Sequence, residues 1–168
     1  MRFVRILLLI LGLAVGSSWA VAQTDEPAGT GSPDDPATPD YSRVHWQNLR
    51  EAQDRAQAEQ KPLLIHFTAP WCGWCKKMER ETYSVPAVIH YLNDNFTMAK
   101  VDTDKLPAMA TKYQVEGLPT LWFQESGGKR LTKLDGFTSA ENLLPLLEFI
   151  VARDYEWTDY QTWLERRK

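Results

Sequence analysis

"APWCGWCKK", residues 69–77, holds the only two cysteines of this 168-residue chain, with Gly73 and Trp74 between them and Trp71 in front. Directly before it stands "LLIHF", residues 63–67, an apolar run preceded by Pro62 whose length and flanks suit a strand buried on both faces. Directly after the first cysteine, "CGWCKKMERETYS" reads as a helix, with Lys77 and Glu81 at i,i+4 and Met78 turned inward. The cysteines therefore fall where a buried strand hands over to a helix.

That placement narrows the chemistry. A zinc site normally takes four ligands, and beyond the two thiols the chain offers only His45, His66 and His90, none at finger-like spacing, so no metal is expected. Covalent haem attachment requires a histidine after the second cysteine, and Lys76 stands there. A structural disulfide is the plain alternative in an exported protein, but a bond closing so small a loop removes little entropy from the unfolded chain. A redox couple gains more from the position. At the first turn of a helix the unpaired backbone N–H groups and the positive dipole end stabilise a thiolate. On this reading Cys72 is the exposed, low-pKa nucleophile. Cys75, one turn later, is the less exposed thiol that displaces it from a mixed disulfide. Trp71 and Trp74 would flank the thiolate with flat apolar surface suited to a flexible polypeptide. Core packing is their plainer role, more so for Trp71.

Working outward, "WQNLREAQDRAQAEQKP" opens a helix on a capping box of Asn48 and Glu51 and stops at Pro62. Pro86 breaks the helix after the cysteines near Ser84 and Val85, and "PAVIHYLNDNF" restarts it. Residues 96–102 alternate like a strand, 106–114 form a short helix, and 119–125 form another strand. Gly127 and Gly128 turn into "KRLTKLDGF", the partner strand of a hairpin. Thr138 and Glu141 would then cap a helix through Leu143, Leu144, Leu147 and Ile150, with Pro145 requiring either a kink or a later start. The order β-α-β-α-β-α-β-β-α implies an α/β fold with a central mixed sheet and helices on both faces. Residues 153–168 place Trp157, Tyr160 and Leu164 at near-helical spacing, either as a short helical extension packed on the domain or as a surface for a partner.

The N-terminal part reads differently. Arg2 and Arg5 precede an apolar run from Ile6 to Val15, and Ala20 and Ala22 fit a cleavage site, so residues 1–22 are expected to be a signal peptide. The run is well short of the roughly 20 residues that span a bilayer, and no cysteine follows it to carry a lipid. Residues 23–40 carry four prolines, five carboxylates and no large apolar side chain, the composition of a disordered spacer. Residues 41–152 make one domain. Loss of Arg2 and Arg5 with the signal takes the formal charge from −3 to −5, and no basic stripe remains for nucleic acid.

Residues 43–152 resemble the thioredoxin family, in particular its exported members, on two motifs: "WCGWCK" at 71–76 and "VEGLPT" at 115–120. The resemblance implies a thioredoxin fold in which Pro119 is a cis-proline facing Cys72 and Leu118 offers its backbone to an extended substrate. It also implies a buried acid six residues before the first cysteine, where this chain has His66. A histidine of near-neutral pKa is a candidate to take the proton from Cys75, and core packing with no part in the chemistry stands beside that role. Lys100 matches the lysine that accompanies the acid. Gly73-Trp74 replaces the common Gly-Pro pair, a change that bears on the reduction potential.

The resulting expectation is an exported, most readily periplasmic, monomeric thiol:disulfide oxidoreductase that favours reduction of disulfides in exported proteins. It would need no organic cofactor, and a separate redox partner such as a membrane electron carrier would recycle it. Oxidation or isomerisation by the same residues is the alternative within enzymes, and a non-catalytic polypeptide-binding module the alternative outside them.

Overall fold

The computed structural model describes residues 42–167. The expected signal peptide and acidic spacer, residues 1–22 and 23–40, lie outside the described residues. The elements run β1 (Trp46–Gln47), α1 (Leu49–Glu59), β2 (Leu63–Thr68), α2 (Gly73–Glu81), α3 (Pro86–Asn95) and β3 (Thr97–Asp102). Then come α4 (Pro107–Lys112), β4 (Thr120–Gln124), β5 (Arg130–Asp135), α5 (Ala140–Val151), a 3-10 turn (Asp154–Glu156) and α6 (Tyr160–Glu165).

Five strands form one mixed sheet in the order β1-β3-β2-β4-β5, with β2 at its centre, parallel to β3 and antiparallel to β4. The opening strand is two residues long, too short to leave a pattern in the sequence. β2 shows why "LLIHF" lacks alternation. Leu63, Ile65 and Phe67 face Ala52 and Ala56 of α1, while Leu64 faces Met78, Val88, Leu92 and Leu147 on the other side. Both faces are covered, so every position is apolar except His66.

The helix signals hold with one correction, at α5. Asn48 caps α1, its Oδ1 accepting the Glu51 N–H at 3.0 Å, and the α2–α3 break falls before Pro86, which opens α3. The cap of α5 is Ser139, not Thr138, and its side chain makes no capping bond. Thr138 instead offers its carbonyl to the Thr82 hydroxyl at 2.7 Å, tying the end of α2 to the start of α5. The helix thus begins one residue later than the capping box implies and still carries Pro145, which has no N–H for the Glu141 carbonyl.

The C-terminal segment packs on the domain through Tyr160, one of the three residues its spacing singled out, and through Trp163, which the spacing passed over. Trp157 lies outside α6 and is 84% exposed, whereas Tyr160 and Trp163 each place a ring 5.4 Å from that of Phe149. Asp159 caps α6 by accepting the Thr162 N–H, which starts the helix too late to include Trp157. Among the described residues no helix is long and apolar enough to cross a membrane.

Candidate active site

The chain leaves β2 at Thr68, and a Cys72 N–H bond to the Ala69 carbonyl at 3.0 Å turns it into α2. Cys72 is the cap residue of that helix. Its backbone is extended (φ −72°, ψ 100°), and its Sγ accepts the Cys75 N–H at 3.0 Å. A thiolate formed at this position would have that N–H donor and the positive helix end already in place. Cys72 and Cys75 are joined in a disulfide.

The expected contrast between an exposed Cys72 and a shielded Cys75 does not hold in this state: the two are 3% and 1% exposed. Bonded to Cys75, the Cys72 sulfur turns back toward the helix and meets its N–H, and both cysteines pack against Ala69 and Leu118. The tryptophans go the other way. Trp71 is 68% and Trp74 58% exposed, so the core-packing role fails for both, including Trp71 for which it was the stronger reading. The Trp71 indole N–H donates to Asp104, 3.0 Å from Oδ2. Trp74 lies beside Phe137 with ring centroids 6.1 Å apart, and Lys77 Nζ sits 5.1 Å and 4.6 Å from the two ring centres. Gly73 fronts open space; an added Cβ would meet nothing within 4 Å.

The Leu118–Pro119 peptide bond is cis. Pro119 is buried and its carbonyl accepts the Gly136 N–H at 2.7 Å. The antiparallel register of β4 on β2, with Thr120 opposite Phe67, brings this segment to the strand end from which the cysteines emerge. Leu118 is half-buried against the disulfide. With Trp71, Thr103, Val115 and Gly117 it lines a groove of about 200 Å³ beside the pair.

His66 lies in the core with its ring 5.5 Å from Trp46 and 5.4 Å from Tyr83. Neither ring nitrogen finds a protein hydrogen-bond partner among the described residues. Burial first, and the Lys100 charge second, push its pKa down to about 3. The near-neutral value that made it a candidate base is therefore corrected: this imidazole stays neutral and is a weak proton acceptor. Burial likewise pushes the Tyr83 phenol up, with the Glu79 charge adding to it.

Lys100 pairs in register with His66 across β2 and β3, and its Nζ reaches Glu79 Oε1 at 2.7 Å while lying 5.3 Å from the Trp46 ring centre. Cys75, Glu79 and Lys100 all line one cleft of about 390 Å³, with Lys76, Asp102 and Lys105 around it. Sequence reasoning missed Glu79, Asp104 and Phe137. Glu79 had a signal, since it stands four residues after Cys75 and so one turn up the same helix face. The other two come from distant elements and had none.

The comparisons agree with this geometry. The family profile described as "Thioredoxin" matches residues 44–148. A thioredoxin-like protein of Synechocystis is 36% identical over 91 residues, covering 54% of this chain and 83% of its own length. The protein disulfide-isomerase of wheat, Triticum aestivum, is 35% identical over 97 residues, covering 56% of this chain but only 19% of its own length. The solution structure of a thioredoxin from Thermus thermophilus superposes with a TM-score of 0.59 at 26% identity, covering 64% of this chain and 87% of that one. With the fold, the Cys72–Cys75 disulfide and these matches together, the chain belongs to the thioredoxin family, as a thioredoxin-like disulfide oxidoreductase.

Proposed function

We propose that the chain is an exported thiol:disulfide oxidoreductase that reduces disulfides in exported proteins. The observation that carries the proposal is Cys72 at the cap of α2, its sulfur already accepting a backbone N–H, under two exposed tryptophans. In the reduced protein Cys72 attacks one sulfur of the substrate disulfide and the other sulfur leaves as a thiolate. Cys75 then attacks the Cys72 sulfur of the mixed disulfide, re-forming the internal bond and releasing the second substrate thiol. Two electrons pass from the cysteine pair to the substrate, and no organic cofactor or metal enters the steps.

The groove of Leu118 and Trp71 beside the pair supports the binding of an extended segment, with Trp74 offering apolar contact on the other side. A separate dithiol carrier in the membrane recycles the oxidised pair. Export to the periplasm rests on the residue 1–22 pattern, and the chain acts as a monomer.

Net oxidation or isomerisation by the same residues is the second reading, favoured by the likeness to wheat protein disulfide-isomerase. The reduction potential of the Cys72–Cys75 pair, equilibrated against known thiol ratios, decides between them. A value near roughly −270 mV supports a reductase, whereas one near roughly −120 mV makes the protein a disulfide donor. A pair that resists reduction except under strong conditions is a structural bond, and the enzyme reading falls.

A further inference from the structure

We propose that Trp74, Phe137 and Lys77 form a subsite that selects polypeptide substrates carrying an aspartate or glutamate beside the cysteine under attack. The proposal rests on the reading of Cys72 as the nucleophile, because that sulfur brings the substrate to this face. It goes beyond apolar contact, since it gives the site a preferred charge.

The subsite is built before any substrate arrives. Trp74 and Lys77 stand on α2, and Phe137 stands on the loop between β5 and α5. That loop is pinned on both flanks of Phe137. The Gly136 N–H donates to the Pro119 carbonyl at 2.7 Å, and the Thr138 carbonyl accepts the Thr82 hydroxyl at 2.7 Å. Gly136 turns the chain there at φ 88°, a conformation that favours glycine. Phe137 is thereby held beside α2, its ring centroid 6.1 Å from that of Trp74 and the Lys77 ammonium over both rings. Tryptophans that only pack are mostly buried. Trp74 instead stays exposed, two residues after the nucleophile.

The charge preference comes from Lys77. Its ammonium has three donors, and the ring faces attract the charge without accepting all of them. Glu81 Oε2 lies 3.7 Å away in an exposed i,i+4 pair, which leaves donors for a second carboxylate. On the other side of the disulfide the sign reverses. Glu116 lines the groove with Trp71 and Leu118, and Asp104 accepts the Trp71 indole N–H. The other lysines nearby are engaged elsewhere: Lys105 pairs with Asp102, and Lys76 lines the cleft that holds Glu79 and Lys100. A substrate carboxylate is therefore repelled on the Trp71 side and drawn to Lys77, with its apolar neighbours on the flat faces of Trp74 and Phe137. Rings and ammonium already stand in place, so little ordering is lost on binding.

The test uses reduced protein and a set of short peptide disulfides that differ only in one residue, Glu, Gln or Lys, placed directly before or directly after the cysteine. Rates of peptide thiol release are each divided by the rate with dithiothreitol, which removes the peptides' own reactivity. At one of the two positions the Glu peptide is expected to react roughly fivefold faster than the Lys peptide at low salt, the size of one exposed ion pair, with the gap shrinking in high salt. The formal charge of −3 by itself favours the Lys peptide, so this preference has to arise locally. Lys77→Gln brings the Glu-to-Lys ratio close to one and Lys77→Glu inverts it. Phe137→Ala, which removes one ring face under the ammonium, lowers it part of the way. Lys129→Gln makes the same change of charge in the β4–β5 turn, at the other end of β4 from Pro119, and keeps the ratio. Taking ratios within each variant cancels any effect on the Cys72 thiolate. A preference for Glu at neither position or equally at both overturns the proposal, as does a ratio that Lys77→Gln leaves unmoved or that Lys129→Gln moves as much. Failure to reduce any of the peptides is a different result, which removes the oxidoreductase reading itself.

Discussion

Cys72 and Cys75 divide the chemistry between a sulfur that meets a backbone donor and one that sits deeper in the same helix, and substitution separates the roles. Cys72→Ser is expected to abolish reduction of a protein disulfide. Cys75→Ser should still attack but stall as a stable adduct with substrate, visible as a mass shift on intact-protein spectrometry. His66 has a stability signature instead. Its folded pKa, about 3, lies below the ordinary 6.5, so between those values the unfolded chain binds a proton that the folded one refuses. Stability attributable to this residue is whole above pH 6.5 and drains away as pH falls toward 3, by up to about 1.4 kcal/mol per pH unit. His66→Leu should flatten that part of the profile, as read from denaturant midpoints at several pH values; an unchanged slope would place the proton uptake elsewhere. The cysteines were legible in the sequence because their partners in the argument, a strand and a helix start, adjoin them. The Glu79–Lys100 pair was not, because the two residues stand 21 apart in the chain, one on α2 and one on β3, and only the fold brings them together.

The helices show where local signals are enough and where they mislead. Pro86 set the α2–α3 break because a proline cannot continue a helix whose carbonyls it would leave unpaired, and that constraint needs no tertiary context. The Thr138–Glu141 pair had the spacing of a capping box, yet the Thr138 carbonyl is spent on Thr82 and the helix starts on Ser139 instead. Tertiary contact overrode the local pattern. The same holds for the C-terminal extension, where the spacing of Trp157, Tyr160 and Leu164 picked out Tyr160 but passed over Trp163, and Trp157 stays outside α6. Since Trp163 is only half-buried on Phe149, Trp163→Ala should destabilise by about 2 kcal/mol, less than a fully buried tryptophan. Truncation after Ala152 should lower the melting temperature while leaving disulfide reduction in place. Loss of reduction at a temperature where the truncated chain is still folded would show that the extension serves the site and not only the frame.

For the molecule as a whole, the reduced and oxidised forms close a thermodynamic cycle with their unfolded counterparts, so redox direction can be read as relative stability. Roughly 30 mV of potential corresponds to about 1.4 kcal/mol. A reductase should therefore resist urea at least as well with the Cys72–Cys75 bond formed as with it broken, and a clearly more stable reduced form would mark a disulfide donor. The architecture was legible because alternation of strand and helix leaves few ways to build one sheet, and only the two-residue edge strand gave no sign of itself. Strand β2, which delivers the cysteines, lies in the middle of that sheet with a neighbour bonded along each side. Its amides belong to the part of a protein that opens last, so Leu64 to Phe67 should be among the slowest to trade hydrogen for deuterium in either redox state. Electrons then enter and leave at the tip of a strand that stays shut while they do, and repeated turnover need never pass through a partly open protein.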